Sequence, residues 1–106
     1  MKSERGIITT ARRRAKNKGW WSCKNHGSAA SMAGLPDVTF VKDGVTVWIE
    51  FKVPGKRPTI KQFATMARLK EYGAFAIWVD GADECLDALE AIHEMATTGE
   101  TVSAKV

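Results

Sequence analysis

Asp37, Glu50 and Lys52 are the residues of this 106-residue chain whose types and spacing best suit them to chemistry. Alternate side chains of a strand project to opposite faces. Over residues 45–53 that rule puts Val45, Val47, Ile49, Phe51 and Val53 on a core side and Thr46, Trp48, Glu50 and Lys52 on the other. Glu50 and Lys52 are then neighbours on one face, about 7 Å apart at a strand rise of about 3.3 Å per residue. Asp37 follows Pro36 and begins a partner strand that brings it beside Glu50. Two carboxylates and an ammonium at one end of a sheet suit a hard divalent cation, which takes carboxylate, carbonyl and water oxygens. The same trio also fits a cross-strand ion pair on an exposed face, so Glu-x-Lys alone is a weak signal.

The elements that must hold these residues follow from apolar periodicity and turn chemistry. Residues 3–18 form a helix pattern with Ile7, Ile8, Ala11 and Ala15 as its apolar stripe. Glu4, four residues before Ile8, shares that inward stripe, while Arg12, Arg13 and Lys16 point mainly elsewhere. Residues 20–24 read as a short strand, and 25–34 as a polar loop ending in Gly-Leu-Pro-Asp. Residues 37–42 and 45–53 make a hairpin about Asp43-Gly44, a tight-turn pair. The connection over 54–58 is rigid and basic. A helix over 59–72 places Ile60, Phe63, Ala64, Ala67 and Leu69 mostly inward. Residues 74–79 are apolar on both faces, as in a central strand covered by helices. A last helix over 83–96 carries Cys85, Leu86, Leu89, Ile92 and Met95 on one side. The order α-β-β-β-α-β-α predicts a single α/β domain over residues 1–106, a sandwich about a mixed sheet.

Charge bears on the partner. The chain carries +4 at neutral pH, with Arg12, Arg13, Arg14, Lys16, Lys18 and Lys24 crowding the first quarter and acidic residues over 80–100. Basic clustering favours a polyanion such as nucleic acid, although a solvated basic face reads the same way. Cys23 and Cys85 match no zinc spacing and read as reduced, half-buried residues of a cytoplasmic protein. No run approaches the roughly 18 apolar residues of a membrane span, and no leader is expected. Trp20-Trp21 reads as core and strand packing, in preference to a base-stacking platform. A chain this short buries a modest share of its surface, so dimerisation would help it.

The run HGSAASMAGLPDVTFVKDGVTVWIEFKVPGKRPTIKQ, from His26 to Gln62, resembles a VRR-NUC domain of the PD-(D/E)xK nuclease superfamily, in the stand-alone form found in phages and bacteria. Pro36-Asp37 matches the PD element and Glu50-Phe51-Lys52 the ExK element. Gln62 fits the glutamine at the start of the following helix, and Glu4 the acidic residue of the first helix. Each of these last two has a second reading: Gln62 stands three residues after Thr59, as in a capping box, and Glu4 suits a helix N-terminus by charge.

The resemblance implies a restriction-endonuclease-like α-β-β-β-α-β core. It implies a Mg²⁺- or Mn²⁺-dependent deoxyribonuclease, without an organic cofactor, that hydrolyses phosphodiester bonds to leave a 5′-phosphate. Asp37, Glu50 and the backbone carbonyl of Phe51 would hold one ion, and Glu4 a second ion or a water of the first. Lys52 would orient the attacking water, with Gln62 beside it. Lys24, His26 and Ser28 are candidate phosphate contacts near the site, and Lys56 and Arg57 candidate DNA-backbone contacts just beyond it. Stand-alone relatives are similar to Holliday-junction resolvases, so branched DNA and a homodimer are expected, in a bacterial or phage-infected cell. The competing readings are a nuclease for flap, nicked or linear DNA and a non-catalytic DNA-binding module on a nuclease fold. A protein-interaction domain would leave the basic cluster unexplained.

Overall fold

The computed structural model describes residues 3–25 and 32–99. Ser3 starts the first helix, α1 (Glu4–Asn17), because its hydroxyl accepts the Gly6 N–H at 3.0 Å and satisfies a donor that the first turn leaves unpaired. Ile7, Ile8, Ala11 and Ala15 recur at three- and four-residue intervals and are all buried. There follow β1 (Trp21–Lys24), β2 (Val38–Lys42), β3 (Val45–Phe51), α2 (Ile60–Glu71), β4 (Phe75–Val79) and α3 (Ala82–Thr98), in the expected order.

The strands form one mixed sheet in the order β1-β2-β3-β4. The first three are antiparallel, and β4 runs parallel to β3. Asp43 and Gly44 both take positive φ, 50° and 77°, as a two-residue hairpin turn of type I′ requires. That turn sets the register Val38↔Ile49 and Phe40↔Val47. A slip of one residue would exchange the two faces and drive Glu50 towards the apolar side. The parallel β3–β4 pair needs a crossover, which α2 supplies.

The core lies on one face of the sheet. Val38, Phe40, Val47, Ile49 and Phe51 are sealed beneath α1 and α3, which pack on each other and on β3. The opposite face is covered in part by α2, which packs on β4. Gln62 of α2 reaches Glu50, and the Glu50 side chain alternates with those of Ile49 and Phe51.

Four expectations are corrected. The strand expected to be central, β4, stands at one end of the strand order among the described residues, although helices pack on it from both sides. The inward face of α2 is Thr65 and Met66, with Gln62 and Leu69 half-buried, whereas Ile60 (89% exposed), Phe63, Ala64 and Ala67 lie outward. Apolarity alone picked the wrong face, because the polar bonds made by Gln62 set the rotation of the helix. Of the tryptophan pair, Trp20 is core and meets Phe40 and His93 edge-on at 6.5 and 5.9 Å, but Trp21 is 62% exposed. The two cysteines, expected to be half-buried alike, divide into an exposed Cys23 and a buried Cys85.

The approach to β2 is pinned at Gly34. Its φ is 84°, and a Cβ there would stand 2.9 Å from Thr65 Oγ1 and 3.1 Å from the Lys61 carbonyl oxygen. Gly34→Ala is expected to cost about 2–4 kcal/mol, from left-handed strain plus overpacking. Gly44→Ala, at a similar φ but with open space around it, is expected to cost about 1 kcal/mol. Urea unfolding of the two variants measures the difference, and equal losses would show that contact with α2 does not constrain Gly34.

Candidate active site

Asp37 is fixed from two sides. The Asn25 N–H donates to the Asp37 carbonyl at 2.8 Å, and Asn25 Nδ2 donates to the Pro36 carbonyl at 3.0 Å and to Thr39 Oγ1 at 2.9 Å. These bonds clamp the end of β1 onto the start of β2. The carboxylate then accepts the Phe51 N–H through Oδ2 at 2.8 Å. Because Val38 pairs with Ile49, Asp37 falls opposite Glu50, on the same face of the sheet. Asp37 itself is buried.

Glu50 is 1% exposed. Its Oε2 lies 3.3 Å from Lys52 Nζ and accepts from Gln62 Nε2 at 3.1 Å. Its Oε1 is buried and meets no hydrogen-bond donor among the described residues. Gln62 serves two purposes at once. Its Oε1 accepts the Thr59 N–H at 2.8 Å while its own N–H donates to Thr59 Oγ1 at 3.1 Å, completing a capping box. Only the amide oxygen can accept from that N–H and only the amide nitrogen can donate to a carboxylate, so the two bonds fix the orientation of the amide. The two roles foreseen for Gln62 therefore coexist.

Burial pushes the Glu50 carboxyl up from 4.5 to about 7, because desolvation disfavours its charged form. The neighbouring Asp37 raises it further, against the opposing charge and hydrogen bond of Lys52. A buried carboxylate with one unpartnered oxygen and a second carboxylate beside it form a donor set that fits a hard divalent cation. Phe51 brings only its backbone to this place, since its ring is in the core.

The other expected site residues stand farther out. Glu4 is half-buried in the first turn of α1. Among the described residues no three His, Cys, Asp or Glu side chains gather to hold a metal ion, so Glu4 does not complete a three-carboxylate cage with Asp37 and Glu50. Lys24 is exposed at the end of β1, next to Asn25. Lys56 and Arg57 are exposed on the loop after β3, the Arg57 guanidinium 5.9 Å from the centroid of the Phe63 ring. His26 and Ser28 lie outside the described residues. Asn25 escaped the sequence reading, because an asparagine at the end of a strand looks like any loop residue.

No protein-family model matches the sequence, and no curated protein matches it closely enough to count as a relative. Among solved structures, one described as "VRR_NUC domain" superposes with a TM-score of 0.70, covering 82% of this chain and 94% of its own, at 22% identity. The chain has the fold of a VRR_NUC domain. The α-β-β-β-α-β-α order, with a four-stranded mixed sheet flanked by helices, is consistent with the expected restriction-endonuclease-like core. Within this VRR_NUC fold, Asp37 and Glu50 meet where β2 begins and β3 ends, with Lys52 one step beyond. No helix among the described residues is long and apolar enough to cross a membrane.

The raised pKa of Glu50 has a consequence for stability. A carboxyl that titrates near 7 when folded and near 4.5 when unfolded binds more protons in the native state between those values. Its contribution is therefore fully present below about pH 4.5 and lost as pH rises through about 7. In EDTA, the protein is expected to lose up to about 3 kcal/mol between pH 5 and 8 through this group, and Glu50→Gln should flatten the profile in that window. Urea melts at four pH values measure it; a wild-type curve parallel to that of Glu50→Gln would show that Glu50 carries no such shift.

Proposed function

We propose that this protein is a metal-dependent DNA endonuclease, selective for branched DNA and acting as a homodimer. The observation that carries the nuclease reading is the buried, unpartnered Oε1 of Glu50, beside Asp37 and with Lys52 held at Oε2. An apolar or amide side chain would serve a purely structural strand end better, because Lys52 and Gln62 satisfy only one oxygen of a carboxylate whose burial is costly.

Asp37, Glu50 and the Phe51 carbonyl would hold a Mg²⁺ or Mn²⁺ ion. When bound, such an ion lowers the pKa of a water and offsets charge on the scissile phosphate. Gln62 and Lys52 occupy one oxygen of Glu50, which leaves the other for the ion. The Lys52 ammonium orients the attacking water and stabilises charge developing on the phosphate oxygens. Glu4 would bind a second ion or a water of the first. Lys24, Lys56 and Arg57 contact the DNA backbone, adding affinity without sequence information. His26 and Ser28 keep their proposed place as phosphate contacts.

Asp37→Asn, Glu50→Gln and Lys52→Ala are each expected to lower cleavage by at least 10²-fold, an order taken from the loss of a single charge-stabilising group. Glu4→Gln should lose less than any of them. The measurement is a gel assay in Mg²⁺ and in Mn²⁺ on junction, flap, nicked, linear and single-stranded DNA. Full cleavage by any of the three variants would remove that residue from the mechanism, and no cleavage of any substrate by the wild type would favour a non-catalytic DNA-binding module.

Paired cuts on a four-way junction call for two sites related by a two-fold axis. The expectation is a dimer in sedimentation velocity and paired nicks in a cruciform plasmid. A monomer that cuts flaps faster than junctions would replace the resolvase reading with the flap reading.

A further inference from the structure

We propose that the groove along the outer edge of β1 binds an unpaired nucleotide of the DNA substrate, Trp21 stacking on its base while Arg13 and Lys16 hold its phosphates. This rests on the nuclease reading above and narrows its substrate class to DNA that offers bases outside a duplex.

The groove measures about 460 Å³ and is lined by Arg12, Arg13, Lys16, Trp20, Trp21 and Ser22. That volume suits a ligand of nucleotide size. Three of the six lining residues are cationic and none is acidic, which matches a polyanion. Arg12 is anchored, its Nε donating to Ser22 Oγ at 2.8 Å. Arg13 and Lys16 are exposed and make no ion pair among the described residues. Trp21 presents an indole that is 62% exposed, although its neighbour Trp20 is core.

Strand phase ties this groove to the candidate active site. Trp21 pairs with Val41, and Val41 lies four residues from Asp37, so Trp21 and Asp37 project from the same face. They are separated by roughly 13 Å along the strands, a few nucleotides of a DNA chain. Trp48 projects from that face too, on β3 opposite Thr39 and two residues before Glu50, and is half-buried. A basic groove with an exposed aromatic ring is how proteins hold single strands. A continuous duplex offers Trp21 no open base face, whereas a branch point or a single-stranded arm does. A second copy of the chain docked on the same edge would set like charges together.

The test uses the Glu50→Gln protein, which separates binding from cleavage, with fluorescence anisotropy on labelled oligothymidylate and on a blunt duplex of equal length. Trp21→Ala is expected to weaken oligothymidylate binding on the order of tenfold, the scale of one stacked base, and to change duplex binding by less than twofold. Trp21→Phe keeps a ring and should retain most of the affinity, and it carries the test if the alanine variant lowers Tm. The Arg13→Ala/Lys16→Ala double variant should reduce the slope of log K against log salt for oligothymidylate by about 1.4, two phosphate contacts at about 0.7 each. Unchanged oligothymidylate binding by Trp21→Ala, equal loss on both DNAs, or loss of self-association in place of DNA affinity would overturn the proposal. Selective loss on oligothymidylate, together with a wild-type protein that cleaves no DNA in Mg²⁺ or Mn²⁺, would support this groove while overturning the nuclease reading.

Discussion

A carboxylate enters a protein interior only with partners, and the structure around the candidate site is organised by the need to supply them to Glu50. Lys52 and Gln62 converge on one oxygen while Asp37 stands near and opposes ionisation. The remaining oxygen has nothing to accept from among the described residues. Such a group raises the free energy of the ion-free folded state at neutral pH. Other parts of the fold must absorb that cost, and the side of the sheet sealed under α1 and α3 is where they do so. Full burial of Phe40, Ile49, Phe51 and Leu89 supplies several kcal/mol at about 1.5–3 kcal/mol per large apolar side chain.

The same requirement explains how α2 is seated. A helix packing by apolar contact alone would turn Ile60, Phe63, Ala64 and Ala67 inward. Instead Thr59 and Gln62 close the capping box, and the amide nitrogen of Gln62 is spent on Glu50. That single side chain couples the start of α2 to the end of β3. On the other side of the site Gly34 lets the chain run against Lys61 and Thr65 of α2, and Asn25 locks Pro36 and Asp37 to β1. The position of Asp37 is thus set by backbone and amide hydrogen bonds, which are stiff and directional.

Much of this was legible from residue types. Strand alternation placed Val45, Val47, Ile49 and Phe51 inward and Glu50 outward from them, and the Asp43-Gly44 turn fixed the register that brings Asp37 opposite Glu50. The spacing of Ile7, Ile8, Ala11 and Ala15 marked α1. What could not be read depended on partners distant in sequence. Nothing local shows that Gln62 will meet Glu50, so the rotation of α2 came out wrong. Nothing in 74–79 tells an end strand flanked by helices from a central one, because both need apolar residues on two faces. Trp20 and Trp21 leave opposite sides of the chain, and nothing local tells which of those sides is covered. Asn25 owes its importance to Pro36 and Thr39, eleven and fourteen residues away.

The two sides of the sheet therefore differ in kind. One is closed by α1 and α3 around aliphatic and aromatic side chains. The other is closed only where α2 packs on β4, and over β1 and β2 it leaves Trp21 and Cys23 exposed and Thr39 and Val41 half-exposed. A sheet that completes its core on one side can keep the other shallow, so that an extended polyanion reaches the carboxylates from the edge without opening the fold. Basic residues of α1 lie along that edge, whereas Asp37 and Glu50 are buried at the strand ends. This separation matters electrostatically. In the proposed nuclease, lysines and arginines beside the carboxylates would compete with a divalent ion for them, whereas cations along the β1 edge, where Arg12 is bonded to Ser22, would attract a DNA strand without entering the ion's place. At Glu50 the cation is Lys52, 3.3 Å from Oε2. It is held at Oε2, which leaves Oε1 without a donor among the described residues.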